Sequence, residues 1–463
     1  MKWTARVAWV LCSLLVVGCA QGELSNPGAG DAGEESREDV DRPDGGDDNS
    51  VDGSPDTDPP PSDAGDAAVD AYIPDEDGGE PDAGPPENCD EVTCEEGVCE
   101  PDTLECVECI EHDDCSDGLC HIEHPVCIRD CCDETTEDGF VDLGYIHDRY
   151  DIAVTGDGEP RMVVGNDDDE VLQYAQPVDG TWPKEDFAEE AANTSTKIKL
   201  ALDADDDPHV LYSEYERLVY YWRGDSGWES QELVSDDDGD DPSYADLVFD
   251  DDGTLHIMSL LNYGDDILYV TREENGAQDE ETFAFPEEDG AAWLNLDVTS
   301  DNRPIASFYV GPETELIVGE RSSSGDWDYE SVTTESFQIH GMAVGPDDEP
   351  TIAYHRSEND GLRLLSRDGS DWTDEVVFDE PEVAYSPDIA IDDLGDPHVV
   401  YTSQNDDGAD LGYLRFDGED YQTHLVESFE SATYPRVVLD DQRIAHAVSR
   451  DSSRDAVTYV RFD

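Results

Sequence analysis

A block of about 47 residues recurs through the C-terminal part of this chain, and it limits the fold more than any other feature. Its clearest copies are ALDADDDPHVLY from Ala201, AVGPDDEPTIAY from Ala343 and AIDDLGDPHVVY from Ala390. In step with them run AVTGDGEPRMVV from Ala153, VFDDDGTLHIMS from Val248, DVTSDNRPIASF from Asp297 and a degenerate VVLDDQRIAHAV from Val437. Each copy reads as an apolar strand, a turn of Asp, Gly and Pro, and a second strand, because Asp and Gly tolerate the left-handed backbone a tight turn demands. A third strand follows, such as LVYYWR at Leu218 or LGYLRF at Leu411, then a polar hairpin, and then a fourth strand opened by an aromatic residue. The aromatics assigned to that place are Phe140, Trp182, Trp228, Phe283, Trp327, Trp372 and Tyr421.

Four antiparallel strands per unit at this period predict an all-β chain whose folded part is a seven-bladed β-propeller. The last copy stops at Asp463 after its third strand, whereas the segment GFVDLGYI, 139–146, has the layout of a fourth strand before any first strand has occurred. The expected domain is therefore 139–463, a ring closed by strand 139–146, which leaves no open sheet edge to pair with another chain.

Residues 1–18 read as an export signal: Lys2 and Arg6 give a positive start, Val7 to Val17 an apolar core too short to span a bilayer, and Gly18 a small residue before the cut. The stretch Val16-Val17-Gly18-Cys19 resembles the bacterial lipoprotein signal. That resemblance implies acylation of Cys19, a membrane contact made through the lipid alone and, because Ala20 follows the cysteine, a place in the cell envelope at the outer membrane. Residues 19–88, rich in Asp, Gly and Pro with one aromatic, Tyr72, cannot bury enough apolar area to offset their ordering entropy and are expected to form a disordered acidic stalk. Ten cysteines then fall within 89–132: Cys89, Cys94, Cys99, Cys106, Cys109, Cys115, Cys120, Cys127, Cys131 and Cys132. An even number at this density in an exported chain predicts a disulfide-rich module, and the spacing leaves the connectivity open. The run CVECIEHDDCSDGLCHIEHPVC from Cys106 resembles small cysteine-rich repeats of exported proteins, which implies a spacer or a protein-contact module.

The formal charge is −96, from 24 basic and 120 acidic side chains, so nucleic acid and anionic membrane surfaces are excluded as partners of the folded part by repulsion. A monomer is the expected state. Alternate carboxylates at Asp203, Asp205 and Asp207 have the look of a calcium loop, but Glu214, twelfth in the series, falls on a predicted strand. The expectation is thus no cofactor and no metal, with calcium at the acidic turns as the alternative.

Two features with a catalytic look dissolve once placed in the repeat. The Gly224-Asp225-Ser226-Gly227 loop occupies the same hairpin as SSSGD before Trp327, and His209, His256 and His398 share one position just after the turn, in different blades. PHVLY at Pro208 and PHVVY at Pro397 resemble the PHV-Y repeats of exported bacterial propellers and, more distantly, sialidase-like propellers. The sialidase likeness would imply an arginine cluster, a Tyr-Glu pair and complete Asp boxes. The chain offers only the fragments SGDW and GSDW, so no catalytic residue is carried over.

Propellers bind at the mouth of the central channel, where the innermost strands begin. Counting back from the turns places Asp151, Lys199, Asp246, Asn295, Gly341, Asp388 and Arg436 in one ring, with Tyr244, Trp293 and Tyr434 two residues earlier in their blades. Aromatic faces beside charged groups suit carbohydrate rings or an amine. The leading expectation is a lipid-anchored, non-catalytic recognition or adhesion protein that binds a glycan or protein at this mouth. The alternative is an extracellular glycan hydrolase or lyase with Asp246 and Asp388 as acid and base, which needs their carboxylates roughly 5 to 9.5 Å apart. A structural envelope protein without a small ligand is the third reading.

Overall fold

The computed structural model describes residues 149–462 apart from several short loops, together with short strand segments between 98 and 142. The signal, Cys19, the stalk and most of the cysteine-rich module lie outside the described residues. Within that module, Val98–Cys99 pairs antiparallel with Cys106–Val107, and Gly118–Cys120 with Cys127–Arg129.

From Tyr150 onward the chain forms a seven-bladed β-propeller. Six four-stranded antiparallel sheets follow one another in sequence order, and a seventh is completed from the N-terminal side. The innermost strands are Tyr150–Val154, Lys197–Leu202, Ala245–Phe249, Ala291–Val298, Gly341–Val344, Ala384–Ile391 and Ala432–Leu439, in blades one to seven. The core is distributed between the blades. Seven apolar clusters each join two neighbours, and the one containing Tyr150, Met162, Val448 and Tyr459 joins blade one to blade seven. The second strands carry the burial on both faces: every residue of Leu255–Leu261 and of Pro304–Val310 is buried. Outer strands such as Trp327–Thr333 alternate instead, one face packed and one wet.

Closure differs in detail from the expected single strand. The last strand, Ala456–Phe462, pairs with two short segments: Val141–Asp142 opposite Val457 and Ala456, and Glu134–Thr135 opposite Phe462 and Arg461. Phe140 and 143–146 lie outside the described residues. The aromatic register also needs one correction. Trp327 and Tyr421 are first in their outer strands, Trp228 and Trp372 second, and Trp182 lies two residues ahead of Lys184–Glu189. Phe283, however, is the sixth residue of Gln278–Ala284 and pairs with Ile267 near the strand's far end. The place opposite the third-strand arginine, held by Trp228, Trp327 and Trp372 in other blades, belongs here to Gln278, opposite Arg272. The Phe283 ring stacks on Trp327 of the next blade, 6.1 Å between centroids.

The repeated histidine is part of the turn. In blade three Asp250 Oδ1 accepts the backbone N–H groups of Asp252 and Thr254 at 3.1 and 2.7 Å, while Oδ2 accepts from His256 Nε2 at 3.0 Å. The other ring nitrogen, Nδ1, accepts from the Tyr269 hydroxyl at 2.6 Å. Blades two, six and seven repeat the unit with His209 and Tyr220, His398 and Tyr413, and His446 and Tyr459, at 2.5, 2.6 and 2.7 Å. A buried imidazole fixed between a carboxylate and a phenol locks the first two strands to the third. Burial holds the His209 and His256 pKa values below the ordinary one, against the pull of their aspartates, which suits the neutral tautomer this unit requires.

Candidate functional site

All seven ring residues fall at one register position of their blades. Asp151 pairs with Val163, Lys199 with Leu211, Asp246 with Met258, Asn295 with Ser307, Gly341 with Ala353, Asp388 with Val400 and Arg436 with Val448. They divide into two functions, however.

The aspartates brace the ring. Asp151 Oδ2 accepts the N–H of Leu200 in the next blade at 2.9 Å, Asp246 Oδ2 that of Leu296 at 3.0 Å, and Asp388 Oδ2 that of Val437 at 3.0 Å. Asp297, two residues along its strand from Asn295, does the same for Val344 at 2.7 Å. A carboxylate accepting a backbone N–H in a partly buried setting contributes about 1.5 to 3 kcal/mol, so these clasps stabilise four of the blade junctions. Asp246 also receives its own strand's Leu247 N–H at 3.0 Å and the Lys199 ammonium at 3.1 Å. Burial would lower the Lys199 pKa, but Asp246 and Asp151 beside it prevail and hold it above the usual lysine value; Asp388 and Asp151 do the same for Arg436. Burial pushes Asp151 up to about 6, against the attraction of Lys199 and Arg436. Of the two carboxylates considered as an acid–base pair, Asp246 has both oxygens engaged, and Asp388 gives Oδ2 to the neighbouring blade.

The other side chains converge. Lys199, Tyr244, Trp293, Asn295 and Arg436 line a single cavity of about 40 Å³ at the channel mouth, and Lys197 joins them. The Tyr244 and Trp293 rings lie 4.8 Å apart between centroids, and the Lys197 ammonium rests over both, 4.8 Å from Trp293 and 5.4 Å from Tyr244. Asn295 Nδ2 donates to the His340 carbonyl at 3.2 Å and to Ser307 Oγ at 3.3 Å, and Ser307 Oγ meets His340 Nε2 at 2.9 Å. Tyr434 stands at the corresponding position of blade seven, and its carbonyl, with that of Thr433, takes the Tyr150 hydroxyl at 2.8 and 2.6 Å. The same hydroxyl accepts the Arg450 N–H at 2.9 Å, so Tyr150 latches blade one to blade seven.

The backbone at the mouth is unusual. Trp293, Ser386 and Tyr434 have φ of 50°, 49° and 48°, and each lies in a β-bulge that shifts the register just ahead of Asn295, Asp388 or Arg436. Left-handed backbone at a bulky residue costs on the order of 1 kcal/mol and concentrates where function fixes a side chain's direction. Counting along strands cannot reveal a bulge. Lys197 could have been found, since it precedes Lys199 by the same two residues as Trp293 precedes Asn295.

Two other features are distinct from the mouth. A groove of about 460 Å³ between blades five and six is lined by Glu375, Asp396, Asp420, Phe416 and Tyr421. In the acidic turn of blade two, Asp203 Oδ1 accepts the N–H groups of Asp205 and Asp207 at 3.0 and 2.9 Å, which spends the carboxylate on the turn itself. Among the described residues no group of three or more His, Cys, Asp or Glu is placed to hold a metal ion.

No protein-family model and no curated protein matches the chain. Among solved structures it is similar to an ulvan lyase, of a polysaccharide lyase family, bound to -[GlcA(1-4)Rha3S]-, at 13% identity over 70% of this chain and 95% of that one with a TM-score of 0.52. It is also similar to a catalytically inactive virginiamycin B lyase from Staphylococcus aureus with quinupristin, at 15% identity over 71% and 97% with a TM-score of 0.48. At these identities the likeness is one of fold: the chain is a seven-bladed β-propeller whose solved neighbours include lyases.

Proposed function

We propose that this chain is a non-catalytic recognition module, exported and held in the bacterial envelope by a lipid on Cys19, with the acidic stalk and the cysteine-rich module as spacer and the channel mouth as its binding face. The observation that carries the reading is the convergence of Tyr244, Trp293 and Lys197 on one cavity beside Lys199, Asn295 and Arg436. Aromatic faces with hydrogen-bond donors around them suit a sugar, and the strained backbone at Trp293 presents that ring to the mouth. Asp151, Asp246 and Asp388 each give an oxygen to a blade junction, and Lys197 and Arg436 remain with the cavity.

The test is a glycan array probed with the exported chain and with a Tyr244→Ala/Trp293→Ala double variant, alongside thermal unfolding of both. The expected result is binding by the wild type that falls at least about tenfold in the variant, a loss of roughly 1.4 kcal/mol or more, with cooperative unfolding preserved. Undiminished binding by a folded double variant would show that the site lies elsewhere. The variant avoids Asp246 and Asp388, whose removal would loosen blade junctions and confuse affinity with stability.

A further inference from the structure

We infer that the mouth selects an acidic sugar: a carboxylate enters the cavity while the pyranose ring that bears it stacks outside on Trp293 and Tyr244, Lys197 leaving those ring faces to meet the carboxylate. The inference rests on the mouth being the binding face and adds the chemical class of the ligand.

Size is the first support. A cavity of about 40 Å³ admits a group of a few atoms but no sugar ring, since one water already needs about 10 to 15 Å³ of such space. The entering part is therefore a head group, and the ring stays at the rim. The second support is the polarity of the lining. The Lys197 and Lys199 ammonium groups and the Arg436 guanidinium are donors; Asp151, Asp246 and Asp388 each turn one carboxylate oxygen onto a backbone N–H of the next blade, and the other oxygen of Asp246 meets Lys199, which leaves Lys197 and Arg436 as the cations for an entering group. A head group made only of acceptors matches this lining, and an ammonium does not. Third, this is an unusual place for cations in a chain of net charge −96. The chain has four lysines, Lys2, Lys184, Lys197 and Lys199, and two of them meet in this one cavity.

Lys197 also supplies a means of selection. Its ammonium over Trp293 and Tyr244 occupies the faces a sugar would stack on, at 4.8 and 5.4 Å from the ring centroids. Leaving them forfeits that cation–π contact. A carboxylate compensates by a charge-assisted contact with the same ammonium, and a neutral sugar offers no such return. Beside the mouth Tyr263 is 75% exposed at φ 64°, in the turn Asn262–Gly264 packed against the start of the blade-four inner strand, where it can contact further sugar units.

The experiment measures binding of a glucuronate-terminated disaccharide and of its glucose-terminated twin, identical except that a hydroxymethyl replaces the carboxylate, by calorimetry or ligand-observed NMR. Wild type, Lys197→Met and Trp293→Phe are compared, with thermal unfolding of each. The expected result is a preference of at least about tenfold for the acid in the wild type, reduced to about onefold in Lys197→Met through weaker binding of the acid and equal or tighter binding of the neutral twin. Trp293→Phe, which keeps an aromatic face, should weaken both sugars together. Equal affinity of the wild type for both sugars would overturn the inference and leave the mouth reading standing. Acid binding that neither substitution changes would place the site elsewhere and overturn both. Binding of neither disaccharide would overturn the inference, while the array comparison still decides the mouth.

Discussion

Individual residues at the channel show how one repeat position comes to carry different chemistry. Asp151, Asp246 and Asp388 hold the N–H of the blade that follows, whereas Lys199, Asn295 and Arg436 at the same register turn to the cavity. Asp151 reports this most sensitively, because burial raises its pKa to about 6 in the folded chain. A folded pKa above the unfolded value means stability that is present below about pH 4 and lost as pH rises through about 6. Asp151→Asn removes that dependence while its side-chain oxygen can still accept the Leu200 N–H. The melting temperature of the variant relative to wild type should therefore rise between pH 4 and pH 7, by the equivalent of about 1 to 3 kcal/mol. A difference that stays constant over this range would show that the aspartate is not desolvated as described.

The strand is the scale at which the chain is most legible. Repeated turns of Asp, Gly and Pro mark where first and second strands meet, and the register they set puts all seven ring residues at one strand position because β-pairing after a fixed turn leaves no freedom to slip. Phe283 was misplaced because Gln278 holds its expected position, a polar residue that an aromatic count passes over. Lys197 has no signal in residue type, since a lysine at the position held by Tyr244, Trp293 and Tyr434 in other blades breaks the likeness. The bulges at Trp293, Ser386 and Tyr434 have no signature in composition, since any residue type can stand there once neighbouring strands enforce the conformation. Closure belongs to this scale too. Tyr150 joins the first blade to the last through the Thr433 and Tyr434 carbonyls and the Arg450 N–H. Tyr150→Phe should lower the unfolding free energy by about 1 to 3 kcal/mol in chemical denaturation, the cost of leaving those buried backbone groups without their partner. An unchanged midpoint would mean that the seam between blades one and seven is held by packing alone.

At the scale of the whole molecule, basic side chains are scarce and their placement is uneven. Acidic residues fill the turns at which the innermost strands end and also stand in the ring at Asp151, Asp246 and Asp388, while Lys197, Lys199 and Arg436 gather only where those strands begin, at the mouth. A net charge of −96 keeps polyanions away from the surface as a whole, and a cavity lined by donors can still take a single carboxylate within it, because the field there is set by groups a few ångströms away. The competing location is the larger groove between blades five and six, whose Glu375, Asp396 and Asp420 would favour a cation. The most direct discrimination is a crystal structure of the chain soaked with the glucuronate-terminated disaccharide. Sugar density is expected at the channel mouth, with a ring over Trp293 and its carboxylate against Lys197 and Arg436. Density confined to the groove between blades five and six, with the mouth empty, would contradict it.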